Sequence, residues 1–153
     1  TNSEVQAALY EEMAGEFGFE IVSATVTAGA EVSQAVQALL PQADCLSMLT
    51  DNTVVSYLAV VLAAAEQAGK PVFGSEIEQV ALGCAGAEGL DYVALGKQTG
   101  EMAARVLNGE SAESISFETI RDSALYLNTD VLASLGLEIP AAMAERGYTD
   151  MAE

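Results

Sequence analysis

Short apolar runs separated by longer amphipathic stretches constrain this chain most, because that alternation has one common solution, β-α-β units around a parallel sheet. Residues 3–17 carry Val5, Leu9, Met13 and Phe17 at four-residue spacing, which makes one apolar stripe along a helix. Ser3 followed by Gln6 is a capping-box signature, and Gly18 closes the segment. Residues 19–26 (FEIVSATV) are β-branched and predict a strand, and residues 31–40 a helix stopped by Pro41. Residues 44–49 form a short apolar strand of the kind buried on both faces of a parallel sheet. Residues 52–68 read as one long, nearly uncharged helix ended by Gly69 and Pro71. Val72 and Phe73 then give a brief strand, and residues 77–81 a helical turn. A strand is predicted near residues 83–87, an amphipathic helix over 92–107 and an extended segment over 116–127. Short helices over 130–135 and 141–145 close the chain. The predicted class is α/β, a doubly wound parallel sheet with flanking helices. Such a sheet normally opens on a strand, whereas this chain opens on a helix. The missing first strand would lie centrally in the order 2-1-3-4-5, between the strands at 19–26 and 44–49.

Charge narrows the partners. Five Lys and Arg against 23 Asp and Glu leave a net charge of −18, which argues against nucleic acid or an anionic membrane, since each is held mainly by basic residues. The apolar share of 51% separates the chain from acidic sequences too polar to collapse. Its longest charge-free apolar stretch, residues 52–65, falls short of the ~20 residues that span a bilayer. The sequence has no histidine, which removes Ser-His-Asp and Cys-His catalysis and histidine-ligated metals. No Walker loop and no GxGxxG after a strand is present. No cofactor, metal site or catalytic residue is therefore expected, and the chain reads as non-enzymatic. Cys45 and Cys84 are too few and too widely spaced for a zinc site or a CxxC pair. With the Phe73 strand between them, two strand spacings make roughly 9.5 Å, beyond the ~7 Å limit for a disulfide. Two free, buried thiols are expected.

In open parallel sheets ligands bind beyond the carboxyl ends of the strands, where loops feed helix N-termini. Three loops have that position and polar residues to match. Asn2 and Ser3 sit at the first helix start, Thr50, Asp51, Asn52 and Thr53 join a strand to the long helix, and Gly74, Ser75 and Glu76 follow the Phe73 strand. Such a set suits a small zwitterion: N–H and hydroxyl groups take a carboxylate, and Glu76 or Asp91 takes an ammonium. Taken singly, each loop reads as a plain N-cap contributing ~1 kcal/mol, and Asp91 with Tyr92 as a cap followed by a packed ring. Three polar loops on one sheet edge bring the ligand reading forward beside the cap reading.

The segments TNSEVQ (residues 1–6), TDNTVVS (50–56), KPVFGSE (70–76), GLDYVALGKQTGEMAARVLNGE (89–110) and LNTDVLASLGLEIP (127–140) occur in this order. Together they resemble the C-terminal half of ABC-transporter substrate-binding proteins of the type I periplasmic-binding-protein fold, a group that includes tryptophan- and tyrosine-binding lipoproteins. The sequence departs from the family pattern at Glu88, usually an apolar or small strand residue, and at Val93, where a second aromatic is common. The resemblance implies two lobes that close on a solute. Residues 1–90 would be the second lobe, residues 91–115 a crossover and helix packing in the first, and residues 116–153 the return. Asn2, Ser3, Thr50, Asn52, Thr53, Glu76 and Asp91 correspond to positions facing the cleft. The partners implied are a small zwitterionic solute, an amino acid in this group, a membrane permease and an N-terminal lobe of the same precursor. The location implied is extracytoplasmic, in the periplasm or as an anchored lipoprotein. The rival reading is the effector-sensing domain of a transcription regulator, which shares the fold group, and an α/β enzyme using Asp51 or Glu76 as a base stands behind both.

Overall fold

The computed structural model describes residues 2–120 and 123–152; Thr1, Arg121, Asp122 and Glu153 lie outside them, including two positions of the extended segment expected over 116–127. Helix α1 spans Asn2–Phe17, α2 Val32–Leu39, α3 Asn52–Val55, α4 Leu58–Gln67, α5 Ile77–Ala81, α6 Tyr92–Leu107, α7 Thr129–Ser134 and α8 Ala141–Arg146. The strands are β1 Leu46–Ser47, β2 Val72–Phe73, β3 Gly86–Leu90, β4 Ser123–Leu127 and β5 Thr149–Asp150. They form one α/β sheet in the order β1-β2-β3-β4-β5. Pairing is parallel except between β3 and β4, which run antiparallel with Gly86 opposite Leu127 and Leu90 opposite Ser123. The all-parallel expectation is corrected there: the chain returns beside β3 from the opposite direction after α6.

The core follows the pleat, in which alternate side chains point to opposite faces. Leu46, Met48, Val72, Cys84, Ala87 and Tyr126 pack on one face with Val32 and Val36 of α2 and with Leu58, Val61 and Ala65 of α4. Leu125 and Leu127, which flank Tyr126 on β4, point to the other face and cluster with Ala85 and with Leu132 of α7. At the β1 end only the first face is covered. Leu46 and Met48 are buried, while Cys45 and Ser47 are exposed. The strand at 44–49 is thus one-sided, and Cys45 is a free exposed thiol rather than a buried one. Cys84 is free and buried; burial pushes its thiol up to about 11, so it stays protonated and packs as a small apolar group.

Residues 19–26 belong to no strand of the sheet. The predicted strand fails to form because a strand needs a ladder partner, and no strand among the described residues pairs the outer side of β1. The apolar stripe of α1 is left bare by the same gap. Val5 is 63% exposed and Phe17 60%, with Leu9 and Met13 also exposed. Gly18 still ends α1 as expected, at φ 75, with the Phe19 N–H donating to the Ala14 carbonyl at 2.9 Å. The capping box does not form: Ser3 lies inside the helix, and the Gln6 carboxamide is bonded to Thr50. The helix expected over 52–68 is broken at Ser56 and Tyr57. There the Ser56 hydroxyl donates back to the Asn52 carbonyl at 2.7 Å, and the Tyr57 ring lies against Gly29, where a Cβ would come within 1.9 Å of it.

Gly86 marks the tightest approach of β3 to β4. A Cβ there would sit 2.7 Å from Leu127 Cδ2 and 3.0 Å from the Tyr126 carbonyl oxygen, and overpacking of this kind costs ~1–3 kcal/mol. Gly96 lies within α6 with nothing within 4 Å of its Cβ position, where alanine gains ~0.5–1 kcal/mol over glycine. Urea unfolding is therefore expected to place Gly86→Ala below wild type by ~1–3 kcal/mol and Gly96→Ala slightly above it. Equal midpoints for the two variants would contradict this packing.

Candidate functional site

Because β1, β2 and β3 run parallel, the segments that follow them open on one edge of the sheet. Thr50–Thr53 follows β1, Gly74–Glu76 follows β2, and Asp91 follows β3. The start of α1 is tied to the first of these loops. The Gln6 side chain accepts from the Thr50 N–H at 2.8 Å and donates to the Thr50 hydroxyl at 3.2 Å. The Ser3 hydroxyl donates to Asp51 Oδ2 at 3.3 Å. Ser3, Thr50, Asn52 and Thr53 are thus brought together, with Asn2 at the head of α1.

Two of the acids are occupied by their own helices. Asp51 is the N-cap of α3, its Oδ1 accepting from the N–H groups of Thr53 at 2.9 Å and Val54 at 3.1 Å. Asp91 caps α6 in the same way, accepting from Val93 and Ala94 at 2.9 Å each. The cap reading thus holds for Asp91, while the ring that follows is not packed: Tyr92 is exposed. Glu76 differs. It occupies the N-cap position of α5 with extended backbone, yet its carboxylate makes no cap bond. Its Oε1 accepts instead from Gln79 Nε2 at 3.4 Å. No basic side chain belongs to these loops, and Lys70 at the opposite end of β2 donates to the carbonyls of Leu40 and Ala43. Fixed N–H groups, hydroxyls and an uncapping carboxylate on one edge can hold a small molecule carrying both charges.

Sequence reasoning missed the partners of three side chains, two on this edge and one away from it. Gln6 was read as a cap, and only the fold shows its partner 44 residues away. Gln79 sits within a five-residue turn, where its spacing of three from Glu76 was the available signal. Glu88, an unusual acid for its strand, has a partner no local pattern could reveal: Arg146 of α8 grips its carboxylate with both terminal nitrogens, and the Ser123 hydroxyl donates to it too. These contacts, the Arg146 hydrogen bonds first, hold the Glu88 carboxyl below the usual carboxylate range. Beside this clamp a shallow groove of about 320 Å³ runs along Ser123, Leu125, Arg146, Tyr148 and Thr149, apart from the three loops.

The parallel strands of this α/β sheet thus deliver three polar loops to one edge. Comparison with known proteins names the class. The family described as ABC transporter substrate binding protein matches residues 1–148, and the chain belongs to that family. It is 31% identical over 137 residues to a tyrosine-binding protein of Clostridioides difficile (strain R20291), covering 90% of this chain and 40% of that protein. It also resembles the ligand-free, open structure of a substrate-binding protein with adhesive properties from Clostridium difficile, at 34% identity and TM-score 0.83, over 99% of this chain and 50% of that one. A structure from Streptococcus pneumonia in complex with L-Trp shares the fold at 22% identity and TM-score 0.82, over 97% of this chain and 50% of that one. The chain therefore spans half or less of the length of these relatives.

Asp51 supplies the pH test of this edge. Its carboxyl is held below the usual value, chiefly by the Val54 N–H, with Ser3 and Thr53 adding to the effect and partial burial opposing it. A carboxyl depressed by folding contributes stability above its unfolded value, near 3.8, and loses it as pH falls through the folded value. Asp51→Ala is expected to cost ~1 kcal/mol at pH 7, with the gap closing below pH ~3.8, while Asp51→Asn keeps most of the cap. Urea unfolding at pH 7 and pH 3 checks this, and a gap independent of pH would contradict it.

Proposed function

We propose that this chain is the second ligand-binding lobe of the solute-binding component of an ABC importer, and that its solute is a zwitterionic amino acid with an aromatic side chain. The observation that carries the reading is Glu76, a carboxylate at the strand-end edge that leaves its own helix uncapped. Around it, the hydroxyls of Ser3, Thr50 and Thr53 and the Asn2 and Asn52 amides would receive a carboxylate, and Glu76 with Asp91 the ammonium. The tyrosine-binding relative and the neighbour holding L-Trp favour an aromatic amino acid. The family match favours transport over the regulator reading.

The proposed division into residues 1–90, 91–115 and 116–153 is supported by what the chain leaves uncovered. No residue of α6 is buried; Val93 is 69% exposed and Leu107 86%. Its polar ties run to its own return segment, where Gln98 donates to Glu118 and the Thr119 carbonyl at 3.0 Å each. Packing of α6 against a first lobe, and of the α1 stripe and the outer side of β1 against an upstream strand, would cover these surfaces. A permease partner and an extracytoplasmic location, with lipoprotein anchoring, complete the proposal; among the described residues no helix is long and apolar enough to cross a membrane.

Titration calorimetry on the full-length protein tests the reading, with L-tyrosine, L-tryptophan, glucose and spermidine as probes. An aromatic amino acid is expected to bind, and Glu76→Gln and Asp91→Asn each to weaken it about tenfold or more, since a charge-assisted hydrogen bond contributes ~1.5–3 kcal/mol. Binding of glucose or spermidine alone, or an amino-acid affinity untouched by both substitutions, would overturn it. The 153-residue chain alone is expected to bind more weakly than the full-length protein, because lobe closure sequesters the ligand in hinge-type binders.

A further inference from the structure

Gln79 is only 1% exposed, and it is the bulkiest of the fully buried side chains among the described residues. Burying a carboxamide is unfavourable unless its hydrogen bonds are replaced, and leucine or methionine would fill the same volume without that cost. Its bonds all run to one loop. Oε1 accepts from the Ser75 N–H at 2.9 Å, and Nε2 donates to the Ser75 hydroxyl at 3.3 Å and to Glu76 Oε1 at 3.4 Å. The backbone is shaped to admit it. A Cβ on Gly74 would fall 2.9 Å from Gln79 Oε1 and 3.0 Å from Gln79 Cβ, while the Gly74 N–H donates to the Gly86 carbonyl at 2.8 Å and fixes the loop to β3.

The chemistry of an amide suits one purpose here. A lysine in its place would orient Glu76 but neutralise it by pairing. A carboxamide donates a hydrogen bond and carries no charge, so it holds one carboxylate oxygen while the full negative charge stays available to a cation.

We propose that Gln79 is a positioning residue for ligand binding: it holds the Gly74–Glu76 loop so that the Glu76 carboxylate, oriented but not neutralised, meets the ammonium of the solute. This rests on the amino-acid reading of the site above, and it assigns to Gln79 no contact with the ligand. A role confined to folding would lower stability without changing which ligand groups matter, so the test reads selectivity.

Calorimetry on the full-length protein compares L-tyrosine with 3-(4-hydroxyphenyl)propanoate, the same molecule without its ammonium. Gln79→Met is expected to weaken L-tyrosine about tenfold and the deaminated analogue less than twofold. In the Glu76→Gln background the effect of Gln79→Met on L-tyrosine is expected to vanish, because a residue acting through another is non-additive with it. Gly74→Ala, which crowds the Gln79 carboxamide without altering it, is expected to reproduce the selective loss and keeps the test open if Gln79→Met does not fold. Equal losses for both probes, or additivity with Glu76→Gln, would overturn the positioning role while leaving the amino-acid reading intact. Failure of the wild-type protein to bind either L-tyrosine or L-tryptophan would overturn both.

Discussion

Parallel pairing of β1, β2 and β3 forces the chain to return through a helix after each strand, so the carboxyl ends of all three collect on one edge. That constraint places the Thr50, Gly74 and Asp91 loops together although the sequence separates them. It also shapes the core, since the returning helix α4 and the preceding α2 cover one face and bury Val32, Val36, Leu58 and Val61 against the strands. The same ladder stops at β1. Beyond it α1 keeps its helical form with its apolar stripe exposed, and residues 19–26 join no strand. Local propensity suffices for the helix, whereas the strand needs a pairing that is absent among the described residues.

Polar residues on the strand-end edge serve two demands. Asp51 and Asp91 satisfy the orphan N–H groups of α3 and α6, which every helix start must satisfy somehow. Glu76 is released from that duty, with Gln79 beneath it. On β3, Glu88 is bound by Arg146 and Ser123 across three elements, so the acid that departs from the family pattern is matched by a base from α8. Exposed ion pairs of this kind add little stability; here the geometry joins α8 to β3 and β4.

The sequence revealed the elements that depend on local pattern. Amphipathic spacing predicts helix α6 over residues 92–107, and the brief strand at 72–73 and the helical turn at 77–81 are likewise as found in β2 and α5. What depends on distant partners was not legible. The strand predicted at 19–26 needed a neighbour to pair with, and β3 begins at Gly86 rather than three residues earlier because the antiparallel register with β4 sets its span. The reversal of β4 is a matter of topology that apolar runs cannot encode. The polar loops were found because cap residues and ligand residues share a chemistry, and for that reason the sequence could not separate Asp51 and Asp91, which cap, from Glu76, which does not. Gln79 escaped notice because a lone amide in a short turn looks like a solvated residue until its burial is known.

A crystal structure of the full-length protein soaked with L-tyrosine tests the account most directly. It is expected to show the amino acid between two lobes, its ammonium within hydrogen-bond distance of Glu76 and its carboxylate on the Thr50–Thr53 loop. A bound ligand that touches no residue among Thr50–Thr53, Gly74–Glu76 and Asp91 would contradict the assignment of this strand-end edge as the binding site.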